Sequence, residues 1–382
     1  MKLQSLRFLK SGLFSLLLAV IIFVGAACLL PPVSRFEDSS DNLITESLKH
    51  EDAGSFMIRR DERISPEWKP YYSQIGLTYQ LLRPFRRQLN SPALPFSLSL
   101  AYAVMTAATF WLFSRHLSVT RGPLEAWVFL ILCCFTPTFL MFSGSFYWQL
   151  PLLVAPFLIT YALGVDHPTP ACGLVFIVLL LRFLGGYEYT STLLLSPVCA
   201  MFLRFAFGDI EMATAIRRSI ALGAVGFFAF LLAVGIHLWA MRLSEGSWPA
   251  AVAAIRNVAT YRTSGDYFAR EISLRSDLIQ FIASFFRNEV IFLIGLGITI
   301  CFLWGVSRGP QAAGRLAAAL GCALLAGLSW QILARGHMRD HAHINFIVYC
   351  LPFGLSVHLA FSRLAALLGD GKSKVLIRSP IA

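Results

Sequence analysis

The sequence predicts an all-α protein: a polytopic bundle of about ten transmembrane helices in one integral membrane domain spanning residues 1–382. Three observations predict it. Of the 382 residues, 57% are hydrophobic and only 14% charged, with mean hydropathy +0.66, whereas soluble domains carry about a quarter charged residues. The apolar residues gather into runs of up to about 20, the length that crosses a hydrocarbon core. The charges gather between those runs, because ionisable groups are costly at membrane depth.

The first run, Ser11–Leu30, is uncharged and follows Lys2, Arg7 and Lys10. Gly25-Ala26-Ala27-Cys28 faintly resembles a lipoprotein cleavage box, but Gly25 is the wrong residue for its first position and further runs follow. An uncleaved first helix is therefore expected. Residues 31–94 form a long loop with structure of its own. Ser40-Asp41 can cap a short helix to about His50,. Tyr72, Ile75, Tyr79, Leu82 and Leu89 recur at helical spacing beside Arg83, Arg86 and Arg87, which predicts a helix lying in the interface,. Spans then follow at about 95–113, 124–142, 149–164, 170–184, 191–207 and 219–241. The pair 170–184 and 191–207 is short and separated by Gly185-Gly186-Tyr187-Glu188-Tyr189, a pattern that fits either two spans or one broken, re-entrant element. A second long loop, 242–288, carries an apolar stripe of Phe268, Ile272, Ile279, Ile282 and Phe286. The last spans are about 289–306, 316–334 and 344–362.

Orientation follows from Lys and Arg in short flanks. The N-terminus is basic, and the tail carries Lys372, Lys374 and Arg378 against Asp370. Both ends are expected in the cytoplasm, which requires an even number of spans. Arg115/Arg121, Arg217/Arg218 and Arg308/Arg315 then fall inside, and both long loops outside. The net charge of +11 reads as cytoplasmic anchors and basic loops facing anionic lipid head groups of the bilayer, not as nucleic-acid binding,. All eight cysteines lie in apolar runs, against a disulfide framework or thiolate zinc site,.

Four constellations can carry chemistry. Glu37, Asp38 and Asp41 follow soon after the first span, where a carboxylate can take the proton of an attacking hydroxyl,; helix capping and solvated loop charge are the plain alternative. Tyr187 and Glu188 stand between two apolar segments, six residues after Arg182, so Glu188 either binds substrate or pairs with that arginine,. His337, Arg339, His341, His343 and Asn345 cluster beside Arg335, a set better suited to phosphate than to metal,. No metal site is assigned and no cofactor firmly implied, although a divalent cation is compatible with the sequence. Trp148 closes an aromatic segment, Ser143–Gln149, which reads first as an interface belt and second as a sugar-stacking surface,. Arg256 and Arg262, with Tyr261 and Arg270, add a basic second loop. No GxGxxG, Walker A, HExxH or GxSxG pattern occurs, and no inner loop is long enough for a nucleotide-binding domain,.

The order of first helix, long outer loop with interfacial helices, then bundle resembles the GT-C superfamily of membrane glycosyltransferases over residues 1–240. The segment Tyr72-Ser73-Gln74-Ile75-Gly76-Leu77 is similar to outer-loop segments of those enzymes. The resemblance implies a polyprenyl-phosphate-linked sugar as donor and an acidic residue early in the first outer loop (Glu37, Asp38 or Asp41) as catalytic base. It also implies substrate binding by Gln74, Trp148, Tyr187, Glu188, the loop arginines and the His/Arg cluster. The large C-terminal soluble domain of many members is absent, which favours a glycan or lipid acceptor. The implied setting is the outer face of a bacterial inner membrane, in cell-surface polysaccharide biosynthesis. An O-antigen-type polymerase or ligase, and a lipid-linked glycan transporter or flippase component, are the rival expectations.

Overall fold

The computed structural model describes residues 2–29, 40–50, 56–61, 65–85, 93–264, 287–336 and 346–369. Among them, ten apolar helical passages build one bundle. Seven are long and apolar enough to cross a membrane: α1 (Lys2–Leu29), α4 (Leu94–Thr120), α8 (Pro168–Gly185), α10 (Met212–Glu245), α12 (Asn288–Arg308), α13 (Pro310–Leu333) and α14 (Ile347–Gly369). The shorter apolar helices α5 (Pro123–Phe135), α7 (Leu150–Leu163) and α9 (Thr190–Ala206) supply the other three passages, with α6 (Pro137–Phe142) extending α5. Proline in the first turn of α5, α6, α7, α8 and α13 sets where they begin, because its missing N–H is one the first turn leaves unpaired anyway.

Successive passages alternate between two ends. At one end, Arg121 after α4 pairs with Asp209 before α10, and Arg204 of α9 reaches the same carboxylate at 3.0 Å. Arg363 of α14 bonds Glu125 of α5 at 3.0 Å beside them. At the other end lie α2 (Ser40–Lys49), α3 (Leu77–Leu82), the 143–149 turn, the 186–189 turn and α11 (Trp248–Ser264). Aromatic and small residues fill the interior. Phe23 of α1 stacks on Phe110 of α4 at 5.7 Å, and a Cβ at Gly327 of α13 would meet Val348 O of α14 at 2.9 Å. Close approach through small residues is the usual way membrane helices pack. The outside is apolar too: Phe302 is 69% exposed and Ile298 67%, a surface suited to lipid tails rather than water.

The structure decides one open alternative and adds detail to the expected passages. Of the two alternatives for the 170–184 and 191–207 segments, the two-span one fits. α8 and α9 each run from one end of the bundle to the other, with Arg182 near one end and Arg204 near the opposite one. The 124–142 span is broken at Thr136, which adopts an extended conformation before Pro137, as residues preceding proline favour. The final passage holds a wide turn of π type at Cys350–Gly354, around Pro352. Between α1 and α4, β1 (Ile58–Asp61) and β2 (Ser65–Pro70) form an antiparallel ladder. Tyr72 and Ile75 precede α3 rather than joining it, because Gly76 is left-handed at φ 73° and lies against Met57. Leu89, Arg86 and Arg87, and the whole 268–286 stripe, lie outside the described residues.

Candidate functional site

Helix α2 carries Asp41 in its first turn and is fastened to β1 where Ile58 N donates to Ser47 Oγ at 2.9 Å. Asp41 Oδ1 accepts from Ser145 Oγ at 3.0 Å and from the Tyr147 backbone N–H at 2.8 Å. The first-loop carboxylate is thereby locked to the turn that starts α7. From that turn, Tyr147 OH donates to Glu188 Oε1 at 3.4 Å. Glu188 is 1% exposed. Arg262 Nη2, from α11, donates to the same oxygen at 2.9 Å, and Arg182 Nη2, from α8, stands 3.5 Å from Oε2.

The backbone around these groups is held in unusual conformations. Gln149 (φ 56°) and Tyr189 (φ 65°) are the two non-glycine left-handed residues among those described, and they precede the first turns of α7 and α9. Such strain persists only where surrounding contacts enforce it, and it concentrates at functional sites. Tyr189 stacks on Trp148, ring centroids 5.5 Å apart, and Thr78 of α3 ties the turn down by donating to Phe146 O at 3.0 Å. Gly185-Gly186 is required by close approach: a Cβ at Gly186 would collide with Glu188 Oε2 and Gln74 Oε1.

Burial disfavours the Glu188 carboxylate, yet Arg262 and Arg182 outweigh burial and hold its pKa below the ordinary value of 4.5,. Arg262 shifts the opposite way: burial lowers its pKa, but Glu188 more than compensates and the net shift is upward. Burial, reinforced by Glu188, pushes the Tyr147 phenol well above its usual value, so it remains a proton donor to the carboxylate. The site at neutral pH is therefore one carboxylate between two guanidiniums.

Of the expected site residues, the structure brings together Asp41, Gln74, Trp148, Glu188 and Arg262, with Tyr187 alongside. The structure places three of the expected residues as follows. Trp148 is buried in the cluster rather than exposed in an interface belt. Tyr187 donates its hydroxyl to Ala233 O of α10 at 3.2 Å beside His237 Nδ1, so it fastens α10 to the turn and is engaged within the bundle. Arg256 is exposed on α11, six residues from Arg262 and on another face of the helix,. Glu37, Asp38, His337, Arg339, His341, His343, Asn345 and Arg270 lie outside the described residues.

The sequence names Arg182 as a partner for Glu188, includes Tyr147 and Gln149 only as part of the Ser143–Gln149 aromatic segment, and does not single out Thr78. A full charge inside the apolar stretch of α8 is the available signal for Arg182; nothing in the sequence marks Thr78. Among the described residues, no three His, Cys, Asp or Glu side chains gather as metal ligands.

No protein-family model, curated protein or solved structure matches this chain. The fold and the placement of its polar groups define a class nonetheless: a multi-pass helical membrane protein with a buried ionic cluster at one end.

Proposed function

We propose that this protein is a membrane glycosyltransferase moving a sugar from a polyprenyl-phosphate donor to a glycan or lipid acceptor on the outer face of a bacterial inner membrane. One observation carries the reading. Asp41 of the first outer segment and Glu188 of the 186–189 turn, far apart in sequence, are bridged by Tyr147, with Arg262 of the second outer segment bonded to the same glutamate. Two acids, a phenol and a guanidinium from four segments thus meet at one end of the bundle.

In the reaction, a carboxylate of the first outer loop (Glu37, Asp38 or Asp41) takes the proton of an acceptor hydroxyl as that oxygen bonds to the anomeric carbon. The bond from that carbon to the phosphate oxygen breaks, and polyprenyl phosphate leaves with the electron pair. Arginine beside the leaving group stabilises its developing charge; on this reading Arg262 takes that part.

The test is single replacement of Glu37, Asp38 and Asp41 by the corresponding amide, with transfer of radiolabelled sugar from lipid-linked donors measured in membrane vesicles. One variant is expected to lose about 10²- to 10⁴-fold in rate. Wild-type rates in all three would remove the base assignment.

A second reading, a lipid-linked glycan transporter or flippase component, is favoured by a different observation. The α5–α6 break and the wide turn of α14 face each other, joined by Cys350 and Thr138 at 3.3 Å. Discontinuous helices of this kind commonly line substrate or ion sites in transporters. Substrate flux through reconstituted vesicles without any sugar transfer would select this reading.

A further inference from the structure

The ionic cluster has an unusual surplus of both hydrogen-bond donors and acceptors. Arg182 is completely buried, yet Nε, Nη1 and Nη2 have no hydrogen-bond partner among the described residues. Arg262 Nη1 is in the same position. Beside these donors stand three buried acceptor oxygens equally without partners: Gln74 Oε1, Gln149 Oε1 and Glu188 Oε2. The three lie close together along Gly185-Gly186. A Cβ at Gly185 would run into the Gln149 amide, and one at Gly186 into Gln74 and Glu188. Arg182 reaches Glu188 Oε2 at 3.5 Å, an ion pair without a hydrogen bond.

The network fixes which end of Gln149 is unpartnered. Thr78 has a single hydroxyl proton, and Phe146 O, which can only accept, takes it at 3.0 Å,. The Thr78 oxygen must therefore accept from Gln149 Nε2 at 2.8 Å and from Tyr102 OH at 3.0 Å. Gln149 is thus oriented with its carbonyl toward Gly185. A buried polar atom without a partner costs about 1–3 kcal/mol, so seven of them in one cluster call for partners beyond the described residues.

The mix of donors and acceptors constrains what those groups are. A bare phosphate would satisfy the arginines but would bring acceptors against three acceptor oxygens. An ammonium would satisfy the oxygens but would meet two guanidiniums. Ordered water does both, and so does a ring of hydroxyls that displaces it, because each hydroxyl donates once and accepts twice. We infer that Arg182, Gln74, Gln149 and Glu188 form the subsite for an uncharged, polyhydroxylated ring: the sugar moiety itself, read hydroxyl by hydroxyl. The inference rests on the glycosyltransferase reading for its choice of ligand class and reaches beyond it by stating which part of the donor goes where. The phosphate is left to groups outside this subsite.

The test is direct binding to the purified full-length protein in detergent. The probes are farnesyl phosphate and its glucose, mannose, galactose and arabinose phosphodiesters. At least one sugar ester is expected to bind on the order of tenfold more tightly than farnesyl phosphate, the worth of a net hydrogen bond or two. Gln74→Leu and Gln149→Leu should each erase that preference while leaving farnesyl phosphate affinity unchanged. The subsite is overturned if no probe binds, if every ester binds like farnesyl phosphate, or if the leucine variants weaken all probes alike. It is also overturned if those variants gain thermal stability and keep the preference, the behaviour of unpartnered core amides that no ligand uses. Sugar preference without transfer by wild-type protein leaves the subsite standing and removes the glycosyltransferase reading; transfer without the preference does the reverse.

Discussion

Glu188 illustrates how a single residue can be legible in sequence while its role is not. A carboxylate between two apolar segments six residues from an arginine is conspicuous, and the Arg182 pair exists. The shorter contact comes from Arg262 on another loop. Nothing in the sequence separates Arg262 from Arg256; six residues at about 100° each put them roughly a third of a turn apart, and only Arg262 is buried,. Removing one partner of a buried charge cluster leaves the others uncompensated, at a cost of about 3–5 kcal/mol. Glu188→Gln is expected to lower thermal stability at pH 7 accordingly. Because the folded-state pKa lies below 4.5, the glutamate's contribution is present in full above that value and is lost as pH falls through the folded pKa. The stability gap between wild type and Glu188→Gln should be flat from pH 7 to about pH 5 and close only in stronger acid. A gap that closes between pH 7 and 5 would mean Glu188 is not held ionised by its arginines. Gly186→Ala should mimic the loss at every pH, since its Cβ lands on Glu188 and Gln74.

At the scale of elements, hydropathy located the ten passages but not their interruptions. Residues 124–142 read as one span because Thr136 and Pro137 barely reduce its apolar character, although proline at such a point ends a helix or starts one. The first turn of α6 is satisfied from another helix. Glu289 of α12 accepts from Thr138 Oγ1 at 2.7 Å and from Thr138 N at 3.4 Å, while His358 Nε2 of α14 meets Thr136 Oγ1 at 3.3 Å. This borrowed cap was invisible to sequence reasoning, since Glu289 looks like an ordinary first-turn acid of α12. The 72–89 helix was overread for the converse reason. Helical spacing of apolar residues was present, but the left-handed Gly76 delays the start to Leu77. Glu289→Gln and Thr138→Val are each expected to destabilise by about 1.5–3 kcal/mol, the worth of hydrogen bonds to a charged group. The double variant should lose markedly less than the sum. Additive losses in thermal melts would show that the two side chains do not act as one cap.

Across the whole molecule, the polar content divides between two ends with different characters. One end is a web of ion pairs joining turns, with Asp209 between Arg121 and Arg204 and with Arg363 on Glu125. It contains the helix ends bearing Arg115, Arg217, Arg218, Arg308 and Arg315, so the basic flanks that sequence reasoning assigned to the cytoplasm do fall together. The start of α1 and the end of α14 belong to the same end, as an even number of passages requires. The other end holds the buried Asp41–Tyr147–Glu188 chain and the unpartnered polar atoms around Arg182. Short basic flanks settle on the cytoplasmic side, which would make the second end the outer one. In a background with its eight cysteines replaced, single cysteines at Lys49 and His167 test this. Both positions are exposed and lie at opposite ends of the bundle. In intact spheroplasts, a membrane-impermeant maleimide is expected to label Lys49→Cys at once and His167→Cys only after the membrane is permeabilised. Labelling of both without permeabilisation would break the ten-passage alternation. The reversed pattern would keep the bundle but put the ionic cluster in the cytoplasm, beyond the reach of a donor in the outer leaflet.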